Sequence, residues 1–232
     1  MTQSYGQFCP VAMSAEVVAE RWTLLVIRNI LCGAHTFNDI QRGVPLMSRS
    51  LLSKRLKQLE KAGVIERRPG RRSHTYHVTE AGQELLPLIE QLGAWGQRWV
   101  RSEIDPGPLD PRLLMWDMQR RIHTDRLPDR RVVVRFEFTD VRRLPLKRTW
   151  LVLDRLEIDV CYKDPGFPVD VVVTTSLRTL TQAWMGDIPF APLLRSGEIE
   201  VDGPRELVRG FPGWLALSSF ADVERPRAAA RA

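Results

Sequence analysis

The chain has 232 residues, 44% hydrophobic and 27% charged, and carries a net charge of +6. That length accommodates one large domain or two ordinary ones, each able to bury a core, and the composition is that of a soluble globular protein. The apolar run WTLLVI is far too short to span a bilayer, and MTQSYGQFCP lacks the basic start and long apolar run of a secretory signal.

The charge is unevenly placed. Residues 1–100 hold 13 basic and 8 acidic side chains, against 21 and 20 in the remainder. Such asymmetry points to a polyanionic partner for the first part, nucleic acid or anionic membrane. Cys9, Cys32 and Cys161 are widely spaced and odd in number, so no disulfide framework is expected and a reducing cytoplasm is the natural compartment.

In chain order, Val17, Val18, Trp22, Leu25, Val26 and Ile30 fall at helical spacings and predict one helix over Ser14–Leu31, ended by Gly33. Thr36 is placed to cap a short helix with Phe37 and Ile40 on one side, and GVP at 43–45 breaks it. Ser48 then caps a third helix at the head of a stretch, residues 48–72, with nine Lys or Arg against two Glu. On a helical wheel Leu51, Leu52, Leu56 and Leu59 share one arc, while Arg49, Ser50, Ser53, Lys54, Lys57 and Lys61 share the opposite one. Arg55 falls among the leucines and is expected to be partly buried and paired. After Gly63, VIER, RPGRR and HTYHV predict a two-stranded ribbon whose tip carries Arg71 and Arg72.

Three helices followed by a basic ribbon make a winged helix-turn-helix, and that fold accounts for the charge. Its second turn helix enters the major groove by the N-terminal end, where short Ser and long Arg or Lys side chains reach base edges. Each phosphate neutralised releases counterions, so binding weakens with salt. From Thr79, placed as an N-cap, Leu85, Leu88, Ile89, Leu92, Trp95 and Trp99 recur at three- and four-residue steps, with Pro87 one or two turns inside. A domain this small hardly covers so long an apolar stripe alone, which predicts a homodimer.

IDPGPLDP reads as a linker. Beyond it Leu113–Ile122 is helical in period, VVVRFEF, TWLVLD and LEIDVCY alternate as an antiparallel meander, and PVDVVVTT adds a strand. SLRTLTQAWMGD, PFAPLLRSG and FPGWLALSSF read as helices around the short strand EIEVDG. The expected class is α+β: a winged helix-turn-helix domain over 1–104, a linker over 105–111, and an antiparallel-sheet domain over 112–232.

Two resemblances add to this. FCPV, ERWTLLVIRNILCG, HTFNDIQRGVPLMSRSLLSKRLKQLEKAGVIERR and YHVTEAGQELLPLIEQLGAWGQRW, over residues 8–99, resemble the HxlR family of bacterial winged-helix regulators. The resemblance implies a cytoplasmic, homodimeric repressor or activator that binds double-stranded DNA. By position its recognition helix is Ser48–Lys61, with Arg49, Ser50, Ser53, Lys54 and Lys57 toward DNA, and its wing is Arg67–His74, bringing Arg67, Arg68, Arg71 and Arg72 into the interface. Residues 168–221 resemble the sterol carrier protein-like fold, through PVDVVVTTSLRTLTQAWMGDIPF and GEIEVDG. That likeness implies an apolar small-molecule effector, with Trp150, Trp184, Met185, Phe190 and Leu194 lining its site, or else a closed cavity and a role in assembly.

Catalysis finds little support. His74 and His77 lie three apart on a strand and point to opposite faces, and no glycine-rich phosphate loop or nucleophile elbow is present. No metal, cofactor or membrane association is expected. Cys9, next to Pro10 at a helix start, is a candidate thiol sensor, as in some members of the HxlR family. A carrier protein in which the winged helix mediates protein contact is the remaining alternative.

Overall fold

The computed structural model describes residues 4–70, 73–100 and 109–224. The chain divides into two compact units, Met1–Trp95 and Gly96–Ala232. Of the linker expected over 105–111, positions 105–108 lie outside the described residues, and Pro111 already opens a helix.

The first unit begins with α1, Pro10–Val18, and α2, Thr23–Leu31. The single helix expected over Ser14–Leu31 is therefore two. Trp22 adopts φ +79°, a left-handed conformation that no helix interior tolerates, and the Thr23 N–H closes the turn on the Glu20 carbonyl at 3.0 Å. The interruption turns Glu20 toward Arg55. Both halves are apolar at similar spacings, so the change of direction leaves no mark in the periodicity.

Val26, Ile27 and Ile30 of α2 are buried, and Gly33 ends the helix at φ +89°, as its position suggests. In α3, Phe37–Arg42, Thr36 Oγ1 accepts the Asp39 N–H at 3.1 Å. Gly43 follows because a Cβ there would collide with the buried Asn29 amide, which itself donates to the Ile40 carbonyl at 3.4 Å. Ser48 Oγ accepts the Leu51 N–H at 3.3 Å to start α4, Arg49–Lys61. Leu52, Leu56 and Leu59 of α4 complete the core with Ile40, Val44, Met47 and Ile65.

The ribbon is β1, Ile65–Pro69, antiparallel to β2, His74–Val78, with Ile65 opposite Val78 and Pro69 opposite His74. A bridge from Thr36 to Thr75 adds a third edge. Thr79 caps as expected, its Oγ1 accepting the Gly82 N–H at 3.2 Å, but it starts only the short α5, Glu80–Gln83. A separate α6 runs Leu85–Trp95. Pro87 explains the break: its ring excludes the carbonyl four residues back, at Gln83, while its missing N–H costs nothing in the first turn of α6.

The second unit opens with a π-helical turn, Gly96–Val100, then α7, Pro111–Gln119, capped by Asp110. A 3-10 turn at Thr124–Arg126 leads to β3, Val132–Phe138; α8, Leu144–Lys147; β4, Arg148–Leu153; β5, Ile158–Cys161; and β6, Val171–Thr175. Then come α9, Leu177–Trp184; α10, Phe190–Ser196; β7, Ile199–Asp202; and α11, Arg205–Trp214. The five strands form one sheet in the order β5-β4-β3-β6-β7.

The sheet is mixed, not antiparallel throughout. β3 and β6 pair in parallel, with Val134 opposite Val171 and Phe138 opposite Thr175. The meander β3–β5 grows away from one side of β3, and the chain then crosses back to add β6 on the other side. Alternation of side chains reports burial and carries no direction, so the sequence pattern does not distinguish the two pairings. The last helix also lies earlier than FPGWLALSSF suggests: Pro204 precedes its first turn, and Leu217 takes φ +57° beyond its end. Phe136, Phe138, Phe211 and Trp214 fill the core with Met115, Leu151, Leu180 and Trp184, and neighbouring ring centroids lie 6.0–6.3 Å apart.

Candidate nucleic-acid interface

Helix α4 presents a polar surface on the side away from its leucines. Its apolar side is locked into the core by Leu52, Leu56 and Leu59, which fixes the opposite side outward. There Ser50, Ser53, Lys54, Lys57, Gln58 and Lys61 line a recess of about 410 Å³. Lys54, Lys57 and Lys61 make no ion pair among the described residues. Three uncompensated ammonium groups beside two small hydroxyls suit a groove in which phosphates are neutralised and base edges are touched.

The other expected contact residues are more constrained. Ser48 Oγ serves as the helix cap and lies 3.2 Å from Ser50 Oγ. Arg49 stacks 4.7 Å above the Phe37 ring and donates to Asn38 Oδ1 at 3.2 Å, which ties the start of α4 to α3. Arg55 is 6% exposed, paired with Glu20, and donates to Gln58 Oε1 at 2.8 Å, so it is structural as expected. Gln58 and Asn38 are polar residues of this surface that the charge pattern does not single out, because neither carries charge.

In the wing, Arg67 Nε lies 3.7 Å from Glu60, and Arg68 Nε donates to Glu66 Oε1 at 2.8 Å. Both cations are exposed but have a carboxylate at hand. Arg71 and Arg72 lie outside the described residues. The base of the wing is held by two imidazoles: His35 and His77 stack with centroids 4.3 Å apart, and His35 Nδ1 lies 3.0 Å from the Tyr76 carbonyl. Burial, then the neighbouring His35 and Arg68, hold His77 below its ordinary pKa, which favours the neutral ring.

The expected dimer residues stay at the surface. Leu88, Leu92 and Trp95 are 50%, 48% and 55% exposed, and Leu85 and Ile89 are half-buried. Trp99 falls in the π-helical turn and is also exposed. Helix α1 buries none of its residues, and Tyr5, Phe8, Val11 and Met13 are exposed with it. The sequence pattern does not reveal this second apolar surface, because a nine-residue helix with a polar minority shows no clear stripe.

Cys9 is half-exposed at the N-terminus of α1. The N–H groups of Ala12 and Val11 hold its thiol below the ordinary range.

Four of the five expected effector-site residues come together in the second unit. Trp184 is buried and donates from Nε1 to Asp117 Oδ2 at 2.9 Å, while Met185, Phe190 and Leu194 pack half-buried on the same core. Trp150 does not join them. It alternates on β4 with Leu151 and Leu153, which face the core, so its ring stands on the other side of the sheet. No helix among the described residues is long and apolar enough to cross a membrane.

Residues 17–104 match the HxlR-like helix-turn-helix family. The HTH-type transcriptional regulator YvaP of Bacillus subtilis is 33% identical over 116 residues, 47% of this chain and 100% of that protein. The HTH-type transcriptional regulator Rv3095 of Mycobacterium tuberculosis is 36% identical over 119 residues, 45% of this chain and 73% of that one. The reduced form of the transcriptional regulator YodB from B. subtilis, a solved structure, is 30% identical, covers 44% of this chain and 99% of its own, and superposes with a TM-score of 0.36.

Proposed function

This chain belongs to the HxlR-like helix-turn-helix family of DNA-binding transcriptional regulators, and we propose that it reads an inverted-repeat operator as a homodimer, with α4 in the major groove. The observation that carries this is the division of α4 into a buried leucine side and an outward side whose Lys54, Lys57 and Lys61 have no ion pair among the described residues. The apolar surfaces of α1 and α6 support pairing of two copies, which sets the recognition helices about 34 Å apart. Lys54→Ala tests the α4 assignment. If Lys54 touches a base edge, its removal costs about 1–3 kcal/mol and relaxes specificity at one position; if it neutralises a phosphate, binding to all sequences weakens alike. Unchanged affinity and unchanged salt dependence in Lys54→Ala/Lys57→Ala remove α4 from the interface.

The second unit, with its sterol carrier-like sequence pattern, is the proposed seat of control by an apolar effector. Met185, Phe190 and Leu194 rest half-buried on a core otherwise closed by aromatic rings, so an apolar molecule enters by displacing α10. Binding of anilinonaphthalene sulfonate that Phe190→Ala and Leu194→Ala weaken supports this seat, and binding indifferent to both removes it. A second reading has its own observation, the lowered pKa of half-exposed Cys9. A thiol sensor there predicts that diamide alters operator binding in the native chain and leaves Cys9→Ser unaffected.

A further inference from the structure

Beyond residue 100 basic and acidic side chains nearly balance, 21 against 20, yet positive charge collects at one end of the second unit's sheet. The parallel pairing of β3 with β6 causes it. Both strands finish at the same end, where the Thr139 N–H donates to the Thr175 carbonyl at 3.0 Å, so the β3–β4 connection and the start of α9 are neighbours. Asp140 fastens them, Oδ1 accepting the Leu177 N–H at 2.7 Å and Oδ2 the Arg178 N–H at 3.3 Å. Around this joint Arg142, Arg143, Lys147 and Arg178 are all exposed.

The nearby carboxylates are already engaged. Asp140 caps α9; Glu137 Oε1 lies 3.0 Å from Arg135 Nε and 3.4 Å from Arg148 Nε; and Asp110, which Arg143 faces, is held by Arg112 Nε at 3.0 Å. Arg142, Lys147 and Arg178 make no ion pair among the described residues. Against these four exposed cations the joint itself holds the carboxylate of Asp140, whose hydrogen bonds go to backbone N–H groups, and Arg143 also faces Asp110, so positive charge is in excess there and favours an anionic partner.

We propose that this joint is a second DNA-binding surface, in which Arg142, Arg143, Lys147 and Arg178 take phosphates of duplex flanking the operator. The inference rests on the DNA-binding function set out above. An anionic bilayer shares the chemistry but fits less well: Leu144, 81% exposed, is a single apolar side chain on the four-residue α8, whereas a helix lying in a membrane interface needs an apolar face along its length. Phosphate contacts from flexible cations position a protein on DNA without reading sequence, which suits a surface with no ordered recognition helix.

The test uses the full chain on its selected operator, either with ten base pairs of flanking duplex on each side or trimmed to the inverted repeat. In the variant Arg142→Gln/Arg143→Gln/Lys147→Gln/Arg178→Gln, the slope of log affinity against log salt on the flanked duplex becomes less steep by about 0.9 for each phosphate no longer neutralised. Affinity for the trimmed duplex is unchanged. The charge-preserving variant Arg142→Lys/Arg143→Lys/Arg178→Lys keeps the native slope, which separates loss of charge from loss of structure. An unchanged slope in the glutamine variant overturns the proposal, as does an equal loss on both duplexes. So does glutamine-sensitive binding to phosphatidylglycerol vesicles with DNA binding intact, which would assign the joint to a membrane. A native chain that binds no operator refutes the homodimeric reader instead, and an intact reader with a silent joint refutes this surface alone.

Discussion

Removing Glu20 tests the reasoning that joins the broken first helix to the recognition helix. Arg55 sits on the leucine side of α4, 6% exposed, and its charge is met by Glu20 from the α1–α2 junction and by Gln58 at 2.8 Å. Its Nε has no hydrogen-bond partner among the described residues. Deleting one member of a fully buried pair costs about 3–5 kcal/mol, whereas an exposed pair contributes at most about 1 kcal/mol. The Glu20 side chain is 29% exposed and Gln58 remains, so Glu20→Ala falls between these limits, at about 2 kcal/mol. Hydrogen exchange of the α4 amides then quickens by about thirtyfold, since each 1.4 kcal/mol is a factor of ten. Replacing the stranded guanidinium as well, in Glu20→Ala/Arg55→Met, restores most of the protection, because an apolar chain of similar length tolerates the site. Exchange quickened less than twofold by Glu20→Ala, or a double variant as unprotected as the single one, refutes the argument.

Three further outcomes follow from the geometry. Leu88→Asp/Leu92→Asp places two carboxylates in the exposed row of α6, so sedimentation shows a particle of one chain where the native protein shows two; a native monomer contradicts the homodimer directly. Because the folded-state pKa of His77 is below the ordinary value of about 6.5, the unfolded chain binds more protons. The contribution of His77 is complete above that value and is lost as pH falls from there through the lower folded-state pKa. Thermal midpoints at pH 7.5 and 5 therefore differ less in His77→Gln than in the native chain, and an equal difference rules out His77 as a source. Iodoacetamide labelling followed by peptide mapping finds Cys9 modified before Cys161, whose thiol is pushed up by burial and by Asp159; the reverse order contradicts the assignment of both environments.

The features legible in the sequence are those written locally. Thr36, Ser48 and Thr79 each announce a helix start by a side chain that caps three residues on, and all three accept the expected N–H. The two sides of α4, and the burial of Arg55 among its leucines, follow from a 100° step alone. What escapes depends on distant partners. The turn at Trp22 is tied to an ion pair 35 residues away, and the parallel register of β3 with β6 spans a crossover that strand alternation cannot encode. Trp150 and Trp184 look alike in the sequence, both large and apolar, yet the phase of β4 puts Trp150 on the opposite side of the sheet from the core. In the wing, a charge count leaves Arg67 and Arg68 free, while Glu60 and Glu66 stand beside them in space.

Selection of oligonucleotides by the purified chain, followed by a salt titration on the preferred site, tests whether α4 of two paired chains reads an inverted repeat. The expected result is an inverted repeat with half-sites one helical turn apart and affinity that falls steeply with salt, and Lys54→Ala/Lys57→Ala binds that site more weakly and with a shallower salt slope. Recovery of a single unrepeated site, or of an inverted repeat that the double variant binds as well as the native chain does, would contradict it.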